Sequence, residues 1–193
     1  MNRPADNASD EPSAPGLRAW LAALFGDPSA QLSLAVHSWD HRRDALAVYW
    51  ARRAARSLPL AKVFLANLLT TQKPGDAAAQ AEAFAIVREA AEGGNAPAQQ
   101  TLAAYYFNGE GVTRNVEESQ RWCLLAAQGG QVECWISLLK YHLYGEYCDP
   151  DVEKALHYAR LASEAGHPEF LTALEIDLQN EKVLSSTEII HGT

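Results

Sequence analysis

AQQTLAAYYFNGEGVTRNVEESQRWCLLAAQGG, residues 98–130, and CWISLLKYHLYGEYCDPDVEKALHYARLASEAG, residues 134–166, are two copies of one pattern. Each copy starts with a small residue, continues with a Leu and a Tyr on one helix face, and reaches a glycine, Gly109 or Gly145. A second stretch with helical spacing then follows and ends at another glycine. The pattern predicts two helices per copy, joined by short turns.

The same pattern recurs every 36 residues along most of the chain. Ala54, Ala90, Ala126 and Ala162 are spaced by 36 residues. Relative to each of these alanines, positions −7, −4, 0 and +1 lie on one face of a helix. Four copies agree there: Ala47, Trp50, Ala54, Ala55; Ala83, Ile86, Ala90, Ala91; Ser119, Trp122, Ala126, Ala127; and Ala155, Tyr158, Ala162, Ser163. The recurrence predicts helix pairs that stack on one another, and no segment requires a strand.

The repeated residues resemble the Sel-one-like repeat family, a relative of the tetratricopeptide repeats. The resemblance is carried by A98-x3-L102-x2-Y105-x3-G109, by W122-x3-A126-A127-x2-G130, and by the same spacing from Leu138 to Gly166. The unit at 60–94 keeps its second helix, but Lys73-Pro74-Gly75 replaces the Tyr-x3-Gly turn; the segment 16–57 is only suggestive. The resemblance implies an extended curved surface used for scaffolding or adaptor work, with the first helix of each pair making most contacts.

The expected fold is all-α, a right-handed α/α solenoid of about four 36-residue helix pairs with an extra N-terminal helix. We expect a disordered polar leader over 1–15, one repeat domain over 16–181 and a tail over 182–193. Within the domain we expect N-terminal helices over 16–39 and repeats at about 40–75, 76–111, 112–147 and 148–181. The predicted first helices are 60–71, 96–107, 132–143 and 168–180, and the second helices are 42–57, 77–92, 115–128 and 151–165.

The net charge of −8 argues against nucleic-acid binding, because phosphate neutralisation needs excess basic residues. No apolar run approaches the roughly 18 residues of a membrane span, and the N-terminus has no apolar secretory segment. We therefore expect a cytoplasmic protein with no membrane and no nucleic-acid partner. Residues 1–75 carry +3 and residues 76–193 carry −11. Such asymmetry is typical of solvated helix faces; the alternative is an acidic surface that steers a protein partner with a basic surface.

Catalytic and metal-binding patterns are absent from the sequence. There is no GxSxG, HExxH or P-loop, so we expect no enzyme activity and no cofactor. His37 and His41 are four residues apart, but no third ligand completes a metal site. Cys123, Cys134 and Cys148 are expected to be small apolar core residues, with Cys148 the candidate for an exposed thiol.

A stripe along the first helices is the candidate partner surface. It takes residues at i, i+4 and i+7 beside the core positions, where the side chains vary between units while the Ala, Leu and Gly positions do not. The candidate partner-binding residues are Asn67, Gln99, Tyr106, Trp135, Leu139 and His142. The alternative is that these side chains complete the core between repeats.

The sequence therefore predicts a non-catalytic scaffold or adaptor that binds a protein partner through its first helices. One alternative is a bacterial cytoplasmic immunity or adaptor protein that neutralises a cognate toxin or secretion-system effector, such as a nuclease. A less favoured alternative is an envelope hydrolase. A homo-oligomer that associates through the apolar end of the array or through the Trp20 and Phe25 helix is a further alternative.

Overall fold

The computed structural model describes residues 15–145 and 150–191, with side chains described as far as Gln179. Over these residues the chain forms ten α-helices and no strand. They are α1 (Leu17–Leu24), α2 (Pro28–Asp40), α3 (Asp44–Ala54), α4 (Pro59–Gln72), α5 (Ala77–Glu92), α6 (Ala96–Asn108), α7 (Val116–Gln128), α8 (Val132–Tyr144), α9 (Val152–Glu164) and α10 (Pro168–His191). The prediction of an all-α solenoid with an extra N-terminal helix is confirmed.

Polar side chains and prolines set where many helices begin. Asn95 accepts a hydrogen bond from the backbone N–H of Ala98 at 3.0 Å, and Asn115 accepts one from Glu118 at 3.1 Å. Asp151 does the same for Lys154 at 3.0 Å. These caps satisfy N–H groups that have no partner within the helix, so the helix starts follow directly from the sequence.

The contacts divide the chain into two compact units, residues 1–76 and residues 77–193. In the first unit, Ala47, Ala51 and Ala54 on α3 are completely buried. Trp50 is buried beside them, and the Trp20 ring meets it edge-on with ring centres 5.9 Å apart. The alanines allow the helices to approach closely, and the two indoles fill the wider space.

The second unit buries the alanines of the predicted register. Ala90, Ala126 and Ala162 are all buried, as is Trp135. Trp135 belongs to a cluster whose buried members come from α6, α7, α8 and α9. This cluster joins α6, α7, α8 and α9 in one continuous core.

Two glycines let neighbouring backbones pass where a side chain would not fit. A Cβ atom on Gly111 would collide with the backbone carbonyl of Gln80 in α5, and Gly111 also has a φ of +71°. A Cβ atom on Gly129 would lie 2.6 Å from the Cβ of Ala96. The turns after α6 and α7 are therefore packed against neighbouring helices.

The α4 helix is one residue out of the predicted 36-residue register. Corresponding buried residues are 37 apart: Ala61 and Ala98, Leu65 and Leu102, Leu68 and Tyr105. The cause lies before α4, which starts five residues after Ala54, whereas α6, α8 and α10 start six residues after the equivalent alanines Ala90, Ala126 and Ala162. As a result, Leu68 occupies the position that Tyr105 holds in α6.

The C-terminal prediction needs correction, because α10 continues to His191 and covers most of the segment expected to be a tail. The other helix bounds agree with the predicted ones within three residues. The predicted leader, apart from Pro15, and Cys148 lie outside the described residues.

Candidate functional site

A groove of about 370 Å³ opens in the second unit between α6, α7 and α8. We call it the α6–α8 groove. Its lining residues are Gln100, Ala103, Ala104, Phe107 and Asn108 of α6; Val116, Ser119, Gln120 and Cys123 of α7; and Cys134, Ser137, Leu138, Lys140 and Tyr141 of α8. Two first helices provide its walls and the second helix between them completes it.

The groove combines polar groups with an apolar base. Ala103, Cys123, Cys134 and Leu138 are buried, so they form the base. The polar lining groups are the amides Gln100, Asn108 and Gln120, the hydroxyls Ser119 and Ser137, the Tyr141 phenol and the Lys140 ammonium. Amides and hydroxyls both donate and accept hydrogen bonds, so they can pair with the N–H and C=O groups of a peptide backbone.

Arg114 holds one end of the groove in place. Its Nε atom donates a hydrogen bond to the Phe107 carbonyl oxygen at 2.8 Å, and its guanidinium lies over the Phe107 ring, 5.5 Å from the centre. Nearby, Asn108 donates a hydrogen bond from Nδ2 to Glu110 at 2.9 Å. Phe107 is thus positioned before any ligand arrives, which lowers the entropic cost of binding.

Three of the six predicted partner-binding residues are buried, so these three do not form an exposed surface. Gln99 is 9%, Trp135 1% and His142 4% exposed. Gln99 is engaged through its amide with the Ala91 carbonyl at 3.2 Å, and Trp135 sits in the core cluster. These three side chains complete the packing between helices, which was the alternative that the sequence left open.

The other three predicted residues are partly or fully accessible. Asn67 is exposed on α4 in the first unit. Tyr106 is half-buried and its ring meets Phe84 edge-on with centres 5.5 Å apart. Leu139 is half-buried against the small core cluster that contains Ala155. None of the three lines the α6–α8 groove.

The geometry of a groove explains why the sequence pattern missed it. A stripe of equivalent positions on successive first helices points the same way on each helix, whereas the two walls of a groove face each other. The α6 wall accordingly uses Gln100, Ala104 and Phe107, one residue after the predicted stripe. The α8 wall uses Ser137 and Tyr141, from the opposite flank of that helix. The missed signal is the run of small and polar residues next to the stripe.

His142 is buried, and neither of its ring nitrogens has a hydrogen-bond partner among the residues that the structure describes. Its ring stacks on Tyr158, with centres 5.3 Å apart and planes 19° from parallel. Burial lowers the pKa of His142, the positive charge of Lys154 lowers it further, and Asp151 opposes these effects. His142 is therefore a packing residue that favours its neutral form.

No group of three or more His, Cys, Asp or Glu side chains suitable for a metal ion occurs among the described residues. The centres of the His37 and His41 rings lie 4.0 Å apart. Burial and, to a smaller extent, the neighbouring His41 lower the pKa of His37.

A second cavity, of about 590 Å³, lies in the first unit on α2 and near Leu58 and Leu60. Within the described part of the chain, every helix is too short or too polar to cross a bilayer.

Comparison with known proteins identifies the repeats. The family model for the Sel1 repeat matches residues 28–57, 96–131 and 136–167, which together make 98 of the 193 residues. The segment 28–57, which the pattern only suggested, thus contains a repeat. The unit at 60–94, where the sequence departs from the pattern, is not matched.

Two crystal structures are similar to this chain. A Sel1 repeat protein from Oxalobacter formigenes is 26% identical, with a TM-score of 0.61 over 79% of this chain and 64% of that one. The protein c5321, a protective antigen of uropathogenic Escherichia coli strains with an SLR fold, is 22% identical, with a TM-score of 0.64 over 89% of this chain and 38% of that one. This chain therefore spans less than two thirds of either protein. No curated protein sequence matches it.

Proposed function

The chain belongs to the Sel1 repeat family, whose members generally act as scaffolds for protein interactions, and we propose that it is a non-catalytic scaffold that binds a peptide segment of a partner protein in the α6–α8 groove. The observation that carries this proposal is the lining of the groove. Backbone-pairing amides and hydroxyls surround an apolar base, and Phe107 is held in position by Arg114. An extended peptide presents the complementary set of backbone groups and side chains.

Charge favours a partner with basic residues. The second unit has seven Lys or Arg and 17 Asp or Glu, a net charge of −10. A field of this sign raises the rate at which cationic peptides meet the groove and becomes weaker as salt is added. We also retain Asn67, Tyr106 and Leu139 as proposed contact residues outside the groove.

The matched substitutions Ala104→Arg and Ala85→Arg test this function. Both alanines are exposed in the middle of a helix of the second unit, but only Ala104 lines the groove. Linear peptides are selected from a displayed random library on the wild-type chain, and the tightest one is synthesised. We expect Ala104→Arg to weaken its binding at least about tenfold, or 1.4 kcal/mol, and Ala85→Arg to leave it unchanged. Failure to select any peptide, or equal binding by both variants, contradicts the proposal.

A narrower candidate follows from the same acidity. We propose as a second function that the partner is a basic toxin or effector, such as a nuclease, and that the chain acts as a cytoplasmic immunity or adaptor protein. The acidic second unit would present carboxylates where such an enzyme expects phosphates. Co-expression with the product of the neighbouring gene tests it: rescue from toxicity and co-purification are expected, and the absence of both contradicts it.

A further inference from the structure

Two thiols meet at the base of the α6–α8 groove. Cys123 on α7 donates a hydrogen bond from Sγ to the backbone carbonyl of Cys134 on α8 at 3.4 Å. Both side chains belong to one buried cluster. Both residues carry free thiols and both are buried. The two cysteines therefore lie next to each other across the α7–α8 hairpin.

Packing alone does not require thiols at these positions. The equivalent pair one repeat earlier is Val87 and Ala98, and the pair one repeat later is Ala159 and Phe170. Apolar side chains from alanine to phenylalanine therefore occur at these positions, and cysteine occurs at both of them only in this layer. Two thiols in one layer therefore indicate a role that depends on the chemistry of sulfur.

Access to these sulfurs comes through the groove. Cys123 is only 8% exposed and Cys134 only 2%, but both line the α6–α8 groove. A small oxidant such as hydrogen peroxide can reach the sulfur atoms, whereas a bulky disulfide such as oxidised glutathione has too little exposed sulfur to attack. The site is thus selective by size.

We propose that Cys123 and Cys134 form a reversible intramolecular disulfide when hydrogen peroxide enters the α6–α8 groove. The Cys134 thiolate attacks one peroxide oxygen, the O–O bond breaks, and the departing oxygen leaves as water after taking a proton. Cys134 is then a sulfenic acid. The Cys123 sulfur displaces its hydroxyl group, which leaves as water with the Cys123 proton, so that two thiols and one peroxide give one disulfide and two waters.

The order of these steps follows from the local hydrogen bonds. The hydrogen bond from Cys123 lowers the pKa of the Cys134 thiol, against the opposing effects of burial and Glu133. The same hydrogen bond, with burial, raises the pKa of Cys123. Because the thiolate is the reactive form, Cys134 is the attacking sulfur and Cys123 the resolving one. This modification goes beyond the proposed binding function and does not depend on it.

Peptide mapping tests the proposal without any binding partner. The reduced protein is treated with hydrogen peroxide, unfolded in iodoacetamide and digested with trypsin. Cleavage after Arg121 and Lys140 releases residues 122–140 as one peptide that contains both cysteines. We expect this peptide to lose the mass of two hydrogens and to take no label, and dithiothreitol to restore two labels. Two labelled thiols after peroxide, a sulfinic acid, or a disulfide to Cys148 overturns the proposal.

Serine variants separate the two roles. In Cys123→Ser we expect Cys134 to stop at the sulfenic acid, which dimedone traps as a stable adduct. In Cys134→Ser we expect Cys123 to remain a thiol under the same treatment. Dimedone labelling of Cys123 instead of Cys134 overturns the assignment. Cys148→Ser is the matched control, and in it the disulfide between Cys123 and Cys134 must still form.

Discussion

The side-chain amide of Gln99 donates a hydrogen bond to the carbonyl oxygen of Ala91 at 3.2 Å. Ala91 lies in the last turn of α5, and its carbonyl oxygen also accepts a hydrogen bond from the backbone N–H of Gly94 at 2.9 Å. Gln31 makes the same contact with Ala23 at 2.9 Å. Each glutamine thus connects the first helix of a pair to the preceding helix. Gln99 connects α6 to α5, and Gln31 connects α2 to α1 in the same way.

Replacing the Gln99 amide, which donates a hydrogen bond to the Ala91 carbonyl, by a carboxylate should destabilise the fold. In Gln99→Glu a carboxylate faces the Ala91 carbonyl, so an attractive contact becomes a repulsive one in a buried place. We expect the free energy of unfolding to fall by about 1–3 kcal/mol. Gln100→Glu is the control, because Gln100 lines the open groove, and its effect should stay within about 0.5 kcal/mol. Equal losses in urea titrations of the two variants would refute the structural role of Gln99.

Glycine substitutions separate a close backbone approach from a requirement for positive φ alone. Gly94→Ala places a Cβ in open space at a φ of +83°, and we expect a loss of about 1–2 kcal/mol. Gly111→Ala has a similar φ but also drives a Cβ into the Gln80 carbonyl, so its loss should be clearly larger. Thermal unfolding followed by circular dichroism measures both. A Gly111→Ala variant as stable as Gly94→Ala would show that the turn is not packed against α5.

Tyr105 has a buried hydroxyl group that finds no hydrogen-bond partner in the described part of the chain. Burial, with a contribution from Glu110, raises the pKa of Tyr105 to about 12. Tyr105→Phe removes the unpaired hydroxyl and keeps the ring, so we expect unchanged or slightly higher stability, by up to about 1 kcal/mol. Tyr105→Ala removes the ring as well and should cost about 3–5 kcal/mol. A marked loss in Tyr105→Phe would mean that the hydroxyl has a stabilising partner.

His142 should make stability depend on pH. Its pKa is lowered in the folded state, so below a pH of about 6.5 the unfolded chain binds a proton that the folded chain does not. The unfolding free energy therefore falls as the pH drops below 6.5, until the folded-state pKa is also passed. His142→Phe lacks this contribution. Urea titrations from pH 7.5 to pH 5 should show the wild type losing more stability than the variant, by at most about 1.4 kcal/mol per pH unit. Parallel curves would contradict this.

Much of the fold could be predicted from the sequence because the repeat is set by small residues that tolerate little change. The buried alanines at Ala54, Ala90, Ala126 and Ala162 and the turn glycines indicate both the helix pairs and their bounds. The phase of α4 could not be predicted, because the loss of a single residue before a helix rotates that helix by 100°. The periodicity within α4 does not reveal such a deletion.

The candidate site was less accessible to sequence reasoning. A helix inside a stacked array is buried by neighbours on two sides, so the residues next to its core positions, such as Gln99 and Trp135, are buried as well. Variation between repeats at those positions therefore reflects different packing solutions and not recognition. The groove depends on which flanks of α6 and α8 face each other, which only the packed structure determines.

The alanine methyl groups report most directly whether a peptide occupies the α6–α8 groove. Carbon-13 methyl spectra of alanine-labelled protein are recorded while the selected peptide is added. The account predicts that the methyl signal of Ala104 in the groove wall shifts with the binding curve, while the equally exposed Ala85 on α5 stays in place. A shift of Ala85 with an unmoved Ala104 would contradict it, because the peptide would then bind elsewhere on the chain.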